Sequence, residues 1–233
     1  MGQLAAKMEG FDSLLKQMQK GYFVSSLTHT SPFVWPENKG SISKGPEKAT
    51  GALPLLMWWF NSGLVSVNVI FVGIRCLQTG TDPTASNVVK MYMQFAFVFY
   101  FYAFLLQVSN LVCRNDVAVF VRRYMTSIRG IGTTSPGSFG MVLKLCPKFL
   151  FVIRTWVSTV PLFGACLVYL NPNSPEMWSS VFESPEKLSW VCRVLFVTVQ
   201  AYLMLLLTDV GILWVSSMFP FILFTMDLLK FLR

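Results

Sequence analysis

Two charged residues stand inside otherwise apolar runs of this chain, Arg154 and Asp209. A charge held in hydrocarbon must be paired or wet, so charge at depth marks an ion pair, an aqueous path or a proton relay. If the run holding Arg154 rises from the cytosol and the run holding Asp209 descends to it, each lies roughly 8 Å inside a core about 30 Å thick. At matching depth, a buried ion pair or one shared aqueous cavity would satisfy both. Separate fates are the alternative: Arg154 snorkels toward phosphate headgroups while Asp209 meets a hydroxyl or water. An enzyme or transporter built on this pair would rest on charge at depth alone.

Other chemistry is sparse. The chain has one histidine, His29, in a polar segment far from any apolar run. That excludes histidine-rich metal oxidases and a Ser/His intramembrane protease, and no P-loop, GxGxxG or zinc-ligand spacing occurs. No catalytic residue, metal or cofactor is expected, and the chain reads as a non-enzyme. Of five cysteines, Cys113 and Cys146 fall on the expected cytosolic side and stay reduced. Cys76 and Cys192 fall near the outer ends of two apolar runs, where a disulfide is one reading and ordinary membrane-edge thiols the other. Uncharged polar residues in or near the runs, namely Asn61, Asn68, Gln94, Gln107, Asn110, Gln200 and Thr208, suit hydrogen bonding between helices. Ser62 and Ser66 form a small-xxx-small pair.

The elements that must position these residues follow from hydropathy. Of 233 residues, 54% are apolar and 13% charged, with mean hydropathy +0.55, against about 25% charged in soluble domains. The apolar residues cluster in long runs rather than at amphipathic spacing, so lipid is the main solvent. Four runs are long enough to cross: residues 52–74, 91–112, 149–170 and 194–224. The last is too long for one perpendicular span and must tilt, kink near Pro220 or extend past the bilayer. The fold class is therefore all-α, a polytopic integral membrane protein with about four transmembrane helices. Net charge +8 does not imply nucleic acid, because the aromatics lie inside the apolar runs instead of on a basic, solvated face.

Lys and Arg resist translocation and so set orientation. Segment 1–51, loop 113–148 and the C-terminus together carry fourteen of them, and connections 75–90 and 171–193 carry four. Both termini are expected in the cytosol, and the plasma membrane is the expected location. Segment 1–51 reads as a partly ordered polar tail with a short amphipathic piece (Phe11, Leu14, Leu15, Met18). Loop 113–148 reads as an amphipathic helix over 117–128, followed by a flexible glycine-rich stretch over 130–140. Val117, Phe120, Val121 and Tyr124 share one helical face, and Arg122, Arg123 and Arg129 lie on others, a candidate surface for anionic lipid or a cytosolic partner. Segment 171–193 is the extracellular loop.

Several whole segments carry a resemblance: the aromatic run MYMQFAFVFYFYAFLLQVSNLV, the amphipathic stretch DVAVFVRRYMTSIRGIG, the turn YLNPNSPEMWSS, and a long fourth run after a cytosolic N-terminus. Over roughly residues 50–230 the chain resembles the N-terminal part of an arthropod chemoreceptor, of the insect gustatory and odorant receptor superfamily. The resemblance implies the pocket-bearing portion of a seven-span, tetrameric ligand-gated cation channel. Nothing here corresponds to the family's final, pore-lining span. It also implies a small-molecule ligand, and oligomers with copies of itself or with full-length relatives. The residues nominated for the ligand pocket are Asn68, Phe71, Tyr92, Phe95, Phe99, Trp156 and Tyr169, although aromatics in spans also serve simply as lipid-facing or packing residues. The alternative function is a four-span scaffold or assembly protein whose basic loop binds anionic lipid or a partner.

Overall fold

The computed structural model describes residues 2–35, 46–134, 140–182 and 187–231. Six α-helices dominate the described residues: α1 (Gly2–Leu27), α2 (Ala52–Thr81), α3 (Asn87–Val112), α4 (Arg114–Thr134), α5 (Gly140–Leu170) and α6 (Trp190–Phe231). A two-residue antiparallel ladder joins β1 (Phe33–Val34) to β2 (Glu47–Lys48), and a 3₁₀ turn covers Trp178–Val181. Four helices are long and apolar enough to cross a membrane: Ala52–Thr81, Asn87–Val112, Leu143–Leu170 and Trp190–Leu223. Only 11% to 33% of the most apolar stretch of each is buried within the protein. Outward apolar surface on that scale suits lipid rather than water as solvent.

Each of the four expected runs lies in one of these helices, and each helix is longer than its run. α2 continues to Thr81, α3 starts at Asn87, and α5 gathers Lys144 and Lys148 into its first turns. Hydropathy marks only the oily part of a helix, while backbone hydrogen bonding carries the helix on into polar sequence. α6 is one helix of 42 residues with Pro220 inside it, which at 1.5 Å per residue runs roughly 60 Å along its axis, twice the hydrocarbon core.

The chain forms two compact units. The first comprises Met1–Trp58, Ser109–Trp156 and Asp209–Arg233, and the second Trp59–Val108 and Val157–Thr208. In the first, the expected polar tail is a structural element. Phe11, Leu14, Leu15, Met18 and Tyr22 recur at three- and four-residue steps on α1 and are buried, whereas Asp12, Ser13, Lys16 and Lys20 face outward. That stripe packs with Ala118, Val121 and Tyr124 of α4, Cys146 and Leu150 of α5, and Leu213 of α6. Phe33 and Trp35 close the same core beside the β1–β2 ladder, and Tyr22 meets Trp35 edge-on at 5.5 Å between ring centroids. The amphipathic piece was visible in the sequence. Its extension to 26 residues was not, because Gly10 and Gly21 interrupt any propensity-based reading.

Gly21 has a packing reason. A Cβ there would stand 3.1 Å from the Ser216 hydroxyl and 3.7 Å from Ile212, so the missing side chain lets α1 approach α6 closely. One residue on, Tyr22 and Ser217 share a hydrogen bond of 3.0 Å. Burial pushes the Tyr22 phenol up to about 12, against the partial opposition of that bond, so it stays neutral in its apolar setting.

α4 buries Ala118, Val121 and Tyr124 and exposes Arg122 and Arg123. Phe120 stacks on Tyr124 and meets Phe221 edge-on at 5.3 Å. The helix runs past Gly130 and Gly132 to Thr134, where a flexible stretch was expected from residue 130; residues 135–139 lie outside the described residues.

In the second unit, Val65, Val69 and Val72 of α2 pack with Met93, Tyr100 and Ala103 of α3 and Leu206 and Leu207 of α6. Gly164 of α5 lies so near α6 that a Cβ would come within 2.9 Å of the Met204 side chain.

The α1–α6 contact yields a graded prediction. Gly21→Ala is expected to be nearly neutral, since the Ser216 hydroxyl can give by a few tenths of an ångström. Gly21→Leu is expected to cost about 1–3 kcal/mol through overpacking. Thermal unfolding of the detergent-purified variants, followed by tryptophan fluorescence, checks the order; equal midpoints for both would place Gly21 outside a packed contact.

Candidate functional site

Arg154 and Asp209 each meet a polar group from the N-terminal segment. The Thr28 hydroxyl donates to Asp209 Oδ2 at 2.7 Å, and Asp209 is 2% exposed. Arg154 Nη1 donates to Gln17 Oε1 at 2.9 Å, and the guanidinium lies 5.8 Å from the Phe151 ring centroid. Of the two readings left open by the sequence, the one in which Asp209 meets a hydroxyl is the one seen, and Arg154 has an amide oxygen among its partners. The physical reason is the folded α1: by packing on this core it brings a hydroxyl and an amide to the two charges, a supply that a solvated tail would not provide. Gln17 and Thr28 were not identifiable from sequence, since short-range pattern says nothing about which segment folds back onto which.

The connection between α5 and α6, in the second unit, is a built polar cluster. Glu176 is buried and accepts from Tyr92 Oη at 2.5 Å and from Ser174 Oγ at 2.6 Å. The Trp178 indole N–H donates to Oδ1 of buried Asn68 at 2.9 Å. Arg75 reaches the Pro175 carbonyl through Nε and Ser180 Oγ through Nη2, each at 3.2 Å. Proline and asparagine in YLNPNSP favour a tight turn over a helix, and these three anchors then fix segment 174–180 against α2 and α3. Beside it opens an apolar groove lined by Val67, Phe71, Trp178, Val181, Phe182 and Phe196, about 320 Å³ in volume.

The nominated pocket residues divide. Asn68 and Phe71 both meet Trp178, Phe71 edge-on at 6.2 Å, and Tyr92 joins the same connection through Glu176. Phe95 and Phe99 point outward, 72% and 51% exposed, as does Tyr169, which borders a smaller cleft with Pro172 and Phe196. Trp156 is also outward and belongs to the first unit. Trp178, Glu176 and Arg75 were missed. The signal available was a tryptophan and a carboxylate within one short connection, since a buried indole N–H or carboxylate must find a partner.

Deeper in this unit, three buried polar residues, Asn61, Gln107 and Gln200, are tied across helices. Tyr202 donates to Asn61 at 2.8 Å, Gln107 Nε2 to Ser62 at 2.8 Å, and Gln200 Nε2 to Tyr100 Oη at 3.4 Å. Cys76 and Cys192 are both free thiols, so the disulfide reading is corrected; Cys76 instead packs against the apolar core of α2, α3 and α6. Arg122 and Arg123 are exposed on α4, and the Arg129 side chain lies outside the described residues. Among the described residues no group of three His, Cys, Asp or Glu is placed to hold a metal.

Separate partnering of the two charges predicts how they respond to exchange. Asp209→Asn keeps an acceptor for Thr28 and should be tolerated, whereas Asp209→Arg should cost about 3–5 kcal/mol by burying an unpaired charge. The double reversal Arg154→Asp with Asp209→Arg should recover nothing. Folded yield by size-exclusion chromatography is the check, and restoration by the double reversal would establish a direct pair.

No protein-family model matches the chain, and neither a curated protein nor a solved structure is found to be similar to it.

Proposed function

We propose that this chain is a chemoreceptor-like membrane protein, resembling the ligand-pocket half of a ligand-gated cation channel, that takes a small apolar molecule beside segment 174–180. The observation that carries the reading is the groove of Phe71, Trp178, Phe182 and Phe196 next to a connection anchored by Asn68, Tyr92 and Arg75. Small-molecule sites are mostly apolar and aromatic walls with a few fixed polar groups, and an anchored wall keeps its shape while empty. The fourteen-to-four distribution of Lys and Arg supports placing both termini in the cytosol and this groove on the outer side of the plasma membrane. The same reading expects oligomers with copies of itself or with full-length relatives.

A second reading, a four-span scaffold, is favoured by one observation: Arg122 and Arg123 are both exposed on α4 while its other face is buried. Such a helix suits anionic lipid or an acidic partner.

Coexpression with a full-length chemoreceptor relative, with calcium entry read over a panel of volatile and tastant molecules, distinguishes the two. The receptor reading expects ligand-evoked entry, with Phe71→Ala moving the half-maximal concentration upward by about tenfold, since a buried aromatic contact is worth about 1–2 kcal/mol. Silence across the panel despite surface delivery would remove it.

A further inference from the structure

The basic helix α4 carries more than charge. Segment 113–148 holds six Lys and Arg against a single acid, Asp116. Along α4, Asp116, Val119, Phe120, Arg123, Tyr124 and Ser127 recur at three- and four-residue steps, so they share one side of the helix. With Phe221 and Thr225 of α6 they line an open groove of about 500 Å³, wholly within the first unit. Its floor is aromatic and fixed: Phe120 stacks on Tyr124, and Phe221 meets both edge-on at 5.3 and 5.5 Å. The Thr225 hydroxyl is spent on the Phe221 carbonyl at 2.9 Å. Charge stands at the rim, where Arg123 and Asp116 are both exposed, two turns of α4 or roughly 10 Å apart along its axis. Arg122 is exposed as well but does not line the groove.

Such a surface suits an amphiphile: an apolar bed for a hydrocarbon tail, with one planar cation at its edge whose geometry matches phosphate. An extended acidic peptide fits less well, because it brings no long apolar part and would carry further carboxylates toward Asp116. We infer that the α4–α6 groove binds one anionic phospholipid, its tail laid over Phe120, Tyr124 and Phe221 and its phosphate held by Arg123 beside the exposed Ser127 hydroxyl. This site rests on the reading of α4 as a helix for anionic lipid, and narrows that reading from a diffuse basic face to one cation and one wall.

The full chain is reconstituted in phosphatidylcholine nanodiscs with a trace of phosphatidylglycerol or phosphatidylcholine that carries a photoactivatable diazirine in one acyl chain. After irradiation, peptide mass spectrometry compares adducts on residues 119–127 and 219–225 with adducts on the outward-facing Leu162 and Phe163 of α5. The groove is expected to favour phosphatidylglycerol about fivefold relative to α5, the worth of one arginine at an anionic surface. Arg123→Gln should bring that ratio close to one, and Arg122→Gln should leave it unchanged. Val119→Trp, at an exposed position, should reduce groove adducts of both lipids by filling the bed, and an unaltered size-exclusion profile shows that each variant is folded. Excess unlabelled phosphatidylglycerol should compete, whereas its deacylated headgroup should not. A ratio near one in the unsubstituted chain would overturn the site together with the reading of α4 as a helix for anionic lipid. A preference lowered equally by Arg122→Gln and Arg123→Gln, and untouched by Val119→Trp, would overturn the site alone and leave a diffuse basic face. Loss of the preference to polyglutamate but not to excess phosphatidylglycerol would overturn it in favour of an acidic protein partner.

Discussion

A carboxylate buried in an apolar helix needs a donor, and the contact between Thr28 and Asp209 meets that need. Asp209 sits in the long α6, where lipid offers it nothing and neighbouring apolar side chains offer no more. The hydroxyl that reaches it comes just beyond α1. For that hydroxyl to arrive, α1 must lie along α6, which Gly21 permits by its missing side chain and Tyr22 reinforces through Ser217. The same placement brings Gln17 to Arg154. One packed helix thus resolves both charges without joining them.

The second unit meets the same constraint differently. Several of its buried polar residues lie on the span-forming helices and meet a partner on another helix, Asn61 with Tyr202, Gln107 with Ser62, Gln200 with Tyr100. Apolar helices in lipid gain little from burying more oil against one another, so hydrogen bonds and close approaches such as Gly164 against Met204 carry the specificity. At the connection after α5, Glu176, Trp178 and Arg75 extend that matching into a turn and shape an aromatic groove beside it. The hydrogen bonds that anchor this turn also shape the candidate site.

Legibility from sequence followed the range of the interaction. Four long apolar helices were readable because hydropathy is a local property, and the α4 face of Val121 and Tyr124 because periodicity is too. The helices' full lengths were not, since polar end residues such as Asn87 and Lys144 continue a helix that hydropathy stops counting. The α1 helix was half-visible: Phe11, Leu14, Leu15 and Met18 declared a face, but the partner for that face lies on α4, α5 and α6. Asn68 and Phe71 were nominated for a ligand pocket, whereas Trp178 was not, because its role depends on the connection folding back onto α2. Phe95, Phe99 and Tyr169, chosen for aromatic character alone, face outward, as apolar side chains in lipid are free to do.

The N-terminal segment is part of the protein's core and not a tail beside it. Hydrogen–deuterium exchange of the full chain in nanodiscs, read over residues 11–22, measures this directly. Protection there is expected to be comparable to that of residues 209–217 of α6, since the two segments open together. Complete exchange of 11–22 within seconds, with 209–217 still protected, would contradict it and return both Asp209 and Arg154 to partners other than Thr28 and Gln17.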